Sequence, residues 1–261
     1  MNKRKSSKIY RNNINLDATI SDLMQFAKTD QSLHQFQTQI SAHQYRKIYH
    51  LFLQYLNPNM KVLDWGTGNG HFSYFLVKAG CQTSGYGFED LPPICQSLSP
   101  DQYTYYQGNW SDPTKLPFTD EFFDAVSSIG VLEHVRETGG TEVDSLNEIR
   151  RILKPNGLFL CVHFPNRYSW IEYAARKMKK WSHEYCYTER EIYELARLTH
   201  FQVLNLQRYA FLPRNIWRKL PRKLVNSGIF TNLYDSVDLF LSIAFSHWCQ
   251  NYLFIAQKSV L

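Results

Sequence analysis

The chain has 261 residues, 44% of them hydrophobic and 20% charged, which is enough for one globular domain with a full-sized core and excludes an intrinsically disordered chain. No apolar run is long enough to span a bilayer, residues 239–245 being the most apolar late stretch. The net charge of +6 gathers in basic stretches at 3–11, 176–180 and 214–223, which either attract an acidic partner or form solvated faces.

In chain order, residues 1–16 read as a disordered basic tail without the apolar core of a secretory signal. A helical lid is expected over 17–57, with Ile20, Leu23, Met24 and Ala27 on one face and Phe36, Ile40, Ile48, Phe52 and Tyr55 on another. Asn57-Pro58-Asn59 breaks the chain, and strands and helices then alternate. Strands are predicted at 61–64, 82–88, 103–107, 124–129 and 158–163, with helices after the first and over 142–153. Thr188 and Glu191 form a capping box that opens another helix, and 201–206 and 252–256 supply the last two strands. Between these lies a helical insertion, 212–248. Its apolar positions Leu233, Val237, Phe240, Leu241, Ala244, Phe245 and Trp248 predict a helix packed on the sheet. The pattern implies a doubly wound α/β fold with a mostly parallel, seven-stranded, Rossmann-like sheet in one domain, 17–261.

The chemistry concentrates at Asp64-Trp65-Gly66-Thr67-Gly68-Asn69-Gly70, between a strand and a helix. Glycines there let the backbone turn sharply and approach a ligand beside free helix N–H groups. Either a dinucleotide or S-adenosylmethionine (SAM) can use such a loop. The dinucleotide spacing G-x-G-x-x-G is not met, and Asp64 would repel a pyrophosphate.

Together with three later blocks, the loop resembles the class I SAM-dependent methyltransferases, particularly the small-molecule branch that includes quinone-biosynthesis enzymes. The blocks are Leu116-Pro117-Phe118-Thr119-Asp120, Val131-Leu132-Glu133-His134-Val135, and Glu148-Ile149-Arg150-Arg151-Ile152-Leu153-Lys154-Pro155-Asn156-Gly157. The resemblance covers about residues 40–207 and implies SAM as cofactor. Asp64, Gly66, Thr67, Gly68 and Gly70 would then face its methionine part. An acid normally ends the second strand and holds the ribose; this chain has Gly87 there, which leaves Glu89, with Asp90 behind it. Asn109 or Asp112 would read the adenine, and Arg46 stands where related enzymes bring an arginine to the cofactor carboxylate.

Methyl transfer needs an aligned acceptor and, for a hydroxyl or acidic carbon, a base. His134, after the fourth strand, and His163, at the end of the fifth, lie at the sheet edge where ligands bind; His183 is a further candidate for the acceptor site. No zinc-ligand spacing is present, so no metal is expected. Five scattered cysteines fit reduced thiols in a cytoplasmic protein. The expected reaction is oxygen or carbon methylation of a small or lipid-like acceptor, with no specific nucleic-acid partner. Peripheral membrane contact is expected through 212–225, where Trp217 stands among basic residues. The alternative is a SAM-fold protein that binds without catalysis.

Overall fold

The computed structural model describes residues 15–214, 217 and 220–259; almost all of the expected tail lies outside these residues. Asn15 caps the first helix, α1 (Leu16–Phe26), accepting from the Ala18 amide. Helix α2 (Gln39–Phe52) follows a 3₁₀ turn at His34–Phe36, so Phe36 packs from the turn and not from the helix. The strands are β1 (Lys61–Trp65), β2 (Gln82–Gly87), β3 (Tyr103–Gln107), β4 (Phe123–Ile129), β5 (Leu153–Pro165), β6 (Phe201–Tyr209) and β7 (Asn251–Lys258). Among them lie α3 (His71–Lys78), α4 (Glu142–Ile152), α5 (Trp170–Lys177), α6 (Glu189–Leu198), α7 (Arg222–Val225) and α8 (Gly228–Ala244). The capping box of Thr188 and Glu191 opens α6 as the sequence implies.

The sheet has seven strands in the order β3-β2-β1-β4-β5-β7-β6. All pairings are parallel except those of β7, which runs antiparallel to both β5 and β6. Successive residues of a strand feed opposite faces: Val62, Ala125 and Leu160 join the core under α2 and α3, while Leu63, Val126 and Cys161 join the one that holds Leu146, Ile149 and Ile192 of α4 and α6. The carboxyl ends of β1, β4 and β5 meet at the middle of the sheet, and the lid helices cover that edge.

Helix α8 departs from its expected packing. Its buried residues are Thr231, Tyr234, Asp238 and Ser242, whereas Ile229, Phe240 and Ile243 are 85%, 68% and 73% exposed. Leu233, Val237, Ala244, Phe245 and Trp248 are exposed too. The cause is Arg214, a buried guanidinium inserted between α2 and α8. It pairs with Asp235 (2.9 Å) and Asp238 (2.8 Å) and donates to the Ile40 carbonyl (2.9 Å). A buried charge must meet charge and hydrogen-bond partners, so the polar side of α8 turns inward and its apolar side faces out. Trp217 also turns inward, edge-on to Phe230 and Tyr234. Within the stretch expected to make a membrane contact, 212–225, Arg214 and Trp217 are therefore spent on internal packing.

Candidate active site

The loop after β1 is shaped by backbone contacts. The amides of Gly66 and Thr67 both donate to the Tyr86 carbonyl (2.8 and 2.9 Å), and the Gly70 amide donates to the Thr67 carbonyl (2.9 Å). All three glycines have positive φ. Their surroundings differ. A Cβ on Gly66 would lie 2.3 Å from a Val131 methyl, and one on Gly70 would lie 2.6 Å from Cys95 Sγ. A Cβ on Gly68 would meet only open space, with the Gly66 carbonyl 3.8 Å away. Gly66 and Gly70 thus fix the turn, whereas Gly68 keeps the space above it clear.

That space is a cavity of about 450 Å³ at the carboxyl edge of the sheet. Asp64, Gly66, Thr67, Gly68, His134, His163 and His183 line it, so seven residues singled out from sequence come together there. Asp64 is buried and accepts from the hydroxyls of Ser73 (2.7 Å) and Ser127 (3.3 Å). Burial pushes its carboxyl up to about 6, and those two hydroxyls partly offset the rise. The roof comes from Gln44 and Tyr45 of α2 and from Arg214.

Five expected cofactor residues, Arg46, Gly70, Glu89, Asn109 and Asp112, stand outside this cavity. Arg46 lies at the surface, its guanidinium bound to Asp17. Glu89 and Asp90 are exposed on the loop after β2. The register explains why Gly87 replaces the customary acid: a Cβ there would lie 2.9 Å from the Tyr105 hydroxyl, which donates to the Glu89 carbonyl. Asn109 uses its side-chain oxygen to accept from the Ser111 amide (3.0 Å), and Asp112 is exposed beyond it. Gly70, finally, sits below the cavity as the cap of α3.

Three polar groups on the wall went unnoticed in sequence. His71 is buried and in contact with the Tyr49 hydroxyl (2.6 Å), and burial lowers its imidazole to about 3. Glu133 is 2% exposed with Oε2 unpartnered among the described residues, and burial raises its carboxyl to about 8. Asn251, the first residue of β7, has a side-chain oxygen without a partner among the described residues. The available signal was position: Glu133 directly precedes His134, and Asn251 begins a strand next to β5. His163 is held more tightly than its sequence revealed. The Tyr209 hydroxyl accepts from its amide (3.0 Å) and donates to its Nδ1 (2.9 Å). This leaves the ring proton on Nε2, which is buried and has no partner among the described residues. Burial lowers the ring to about 4, so His163 is a neutral hydrogen-bond donor at ordinary pH.

Residues 35–208 match the family model described as a methyltransferase domain. Among curated proteins, the sterol 24-C-methyltransferase ERG6B of Gibberella zeae is 34% identical over 40% of this chain and 27% of its own length. The tRNA (carboxymethyluridine(34)-5-O)-methyltransferase of Arabidopsis thaliana is 28% identical over 50% of this chain and 32% of its own. The ubiquinone/menaquinone biosynthesis C-methyltransferase UbiE of Bordetella avium is 31% identical over 42% and 43%. The chain thus spans less than half the length of each of these relatives. In fold, it is similar to a chain of the complex between the Haloferax volcanii Trm112 methyltransferase activator and the putative methyltransferase (TM-score 0.57, 17% identity, 94% of this chain and 98% of that one). The cavity fits the cofactor that this family uses, since the floor at Gly68 is clear of side chains and buried Asp64 closes one end. The loop, the sheet order and the match over two thirds of the sequence agree: the chain belongs to the methyltransferase-domain family and has the class I, Rossmann-like fold of SAM-dependent methyltransferases.

Proposed function

We propose that the chain methylates an oxygen or carbon of a small, lipid-like acceptor seated between the glycine loop and the lid. The observation that carries this reading is a second cleft of about 580 Å³, which shares Gln44, Ala210 and Arg214 with the cofactor cavity. Ile48, Leu51, Leu206, Leu239, Ile243 and Leu253 give it an apolar lining suited to a hydrocarbon tail. When bound, SAM supplies an electrophilic methyl group. His163 Nε2–H then holds the acceptor's oxygen, and the Tyr209 hydroxyl keeps that ring in the donor tautomer. Transfer would break the bond between the cofactor's sulfur and the methyl group as the acceptor gains it, and the acceptor's proton would pass to solvent along the wall of Glu133, His134 and His183. Glu89 is our choice for the ribose. For the adenine, Asp112 is favoured over Asn109, whose side-chain oxygen is engaged.

Membrane contact fits the outward side of α8 better than 212–225. Ile229, Leu233, Val237 and Phe240 are exposed along it, with exposed Arg222 and Lys223 on the preceding α7. Among the described residues no helix is long and apolar enough to cross a membrane. Incubation with methyl-labelled SAM and separate lipid and RNA extracts tests the reading. Label is expected in the organic phase; label confined to RNA overturns it. Phe240→Asp with Leu233→Asp should release the protein from anionic vesicles if α8 makes the contact.

A further inference from the structure

We propose that Glu133, His134 and His183 bind one divalent transition-metal ion of the Zn²⁺ class in the wall of the cofactor cavity. One ligand atom from each residue can be chosen so that all three lie within 4.8 Å of one another. Both imidazoles are already held as metal-binding imidazoles are. Nδ1 of His134 lies 2.7 Å from Glu137, and Nδ1 of His183 lies 3.0 Å from Glu172. A carboxylate on Nδ1 keeps the proton there and leaves the Nε2 lone pair free. Glu172 is itself fixed: its second oxygen accepts from the His183 amide (3.0 Å), and the Ser169 hydroxyl anchors its own amide (3.1 Å).

The third ligand supplies an independent observation. Glu133 is buried and its Oε2 has no hydrogen-bond partner among the described residues. A buried carboxylate oxygen without a partner is costly, and a cation between it and the two rings removes that cost. Two imidazole nitrogens and one carboxylate oxygen are the donors of a borderline ion, since calcium and magnesium take oxygen ligands almost exclusively. Bonds of about 2.0–2.1 Å to zinc set tetrahedral ligand atoms about 3.4 Å apart, so side-chain rotation must draw the three inward. The remaining position faces the cavity, which has a consequence that rests on the methyltransferase reading above. An acceptor oxygen bound there would lose its proton more readily, because the ion lowers the pKa of a coordinated hydroxyl.

Metal-stripped protein titrated with Zn²⁺ against a chromophoric chelator should take up one equivalent, and Co²⁺ should give the visible absorption of a low-coordinate site. His183→Ala and Glu133→Gln should each weaken Zn²⁺ binding at least about tenfold, and Glu172→Gln by about 10–100-fold. His247→Ala, on an exposed histidine elsewhere, should leave it unchanged. SAM binding by calorimetry confirms that each variant is folded. Failure of the unaltered chain to bind stoichiometrically overturns the site, as does undiminished affinity in both His183→Ala and Glu133→Gln. Either failure leaves methyl transfer to the lipid extract as a separate result. Zinc bound by these residues without such transfer would overturn the acceptor reading and leave the site standing.

Discussion

The floor and the roof of the cavity are made by different physics. The floor is main chain: a loop closed by amide-to-carbonyl bonds, with two glycines where no side chain fits and a third kept open. The roof is a buried ionic cluster in which Arg214, Asp235 and Asp238 join α2 to α8, with His43 (3.0 Å) and Lys47 (3.3 Å) on Asp235. A backbone floor fixes a shape that one ligand matches. A charged roof can be rebuilt or lost without disturbing that shape, so one framework can keep its cofactor while its acceptor varies.

The comparison is easiest to break at the roof. Arg214→Met leaves buried Asp238 without its cation and should cost about 3–5 kcal/mol of stability, read from chemical denaturation. SAM affinity under native conditions should change little. Equal losses of stability and cofactor affinity would mean that floor and roof are one unit. At the floor, Gly68→Val fills the ligand's space and should weaken SAM at least about 100-fold, or about 2.7 kcal/mol, by calorimetry. Gly66→Val should instead unfold the protein, because its side chain collides with Val131. Glu89→Ala should weaken SAM by about 1.5–3 kcal/mol, and Asp90→Ala by much less; the reverse order would shift the ribose contact by one residue.

Acid sharpens the contrast with the smallest effect. His43, Arg214 and Lys47 outweigh burial and hold Asp235 down to about 2, well below its ordinary 3.8. A depressed carboxyl contributes stability above its unfolded pKa and loses it as pH falls through the folded one. The roof should therefore weaken between about pH 4 and pH 2, by at most about 2 kcal/mol. Asp64 has the opposite sign: burial raises its carboxyl, so it favours the folded floor as pH falls from about 6 toward 4. Hydrogen exchange across that range should show α8 opening before α3.

The floor was legible because its cause is local. A strand, a glycine turn and a helix follow one another within residues 61–78, and each glycine's role follows from its own backbone. The sheet was legible for a similar reason, since alternating periodicities need no knowledge of distant partners. Helix α8 was misread because counting apolar residues cannot say which side meets the protein. The polar stripe of Thr231, Tyr234, Asp235, Asp238 and Ser242 has helical spacing too, and only Arg214, distant in sequence, decides between the stripes. Glu133 and His183 were obscure as partners because they sit on separate loops that the sheet brings together.

The position of β7 bears on how the chain reaches its native state. Residues 251–258 form an interior strand, flanked by β5 and β6, yet they are synthesised after both of these neighbours. Until they leave the ribosome, β5 and β6 have no partner on their facing edges, and Asn251 is missing from the cavity wall. Open edges of this kind are templates for aggregation. Growth temperature and chaperone supply should therefore govern the yield of soluble protein more than the intrinsic stability of the finished fold, and removing residues from 251 onward should leave an insoluble product.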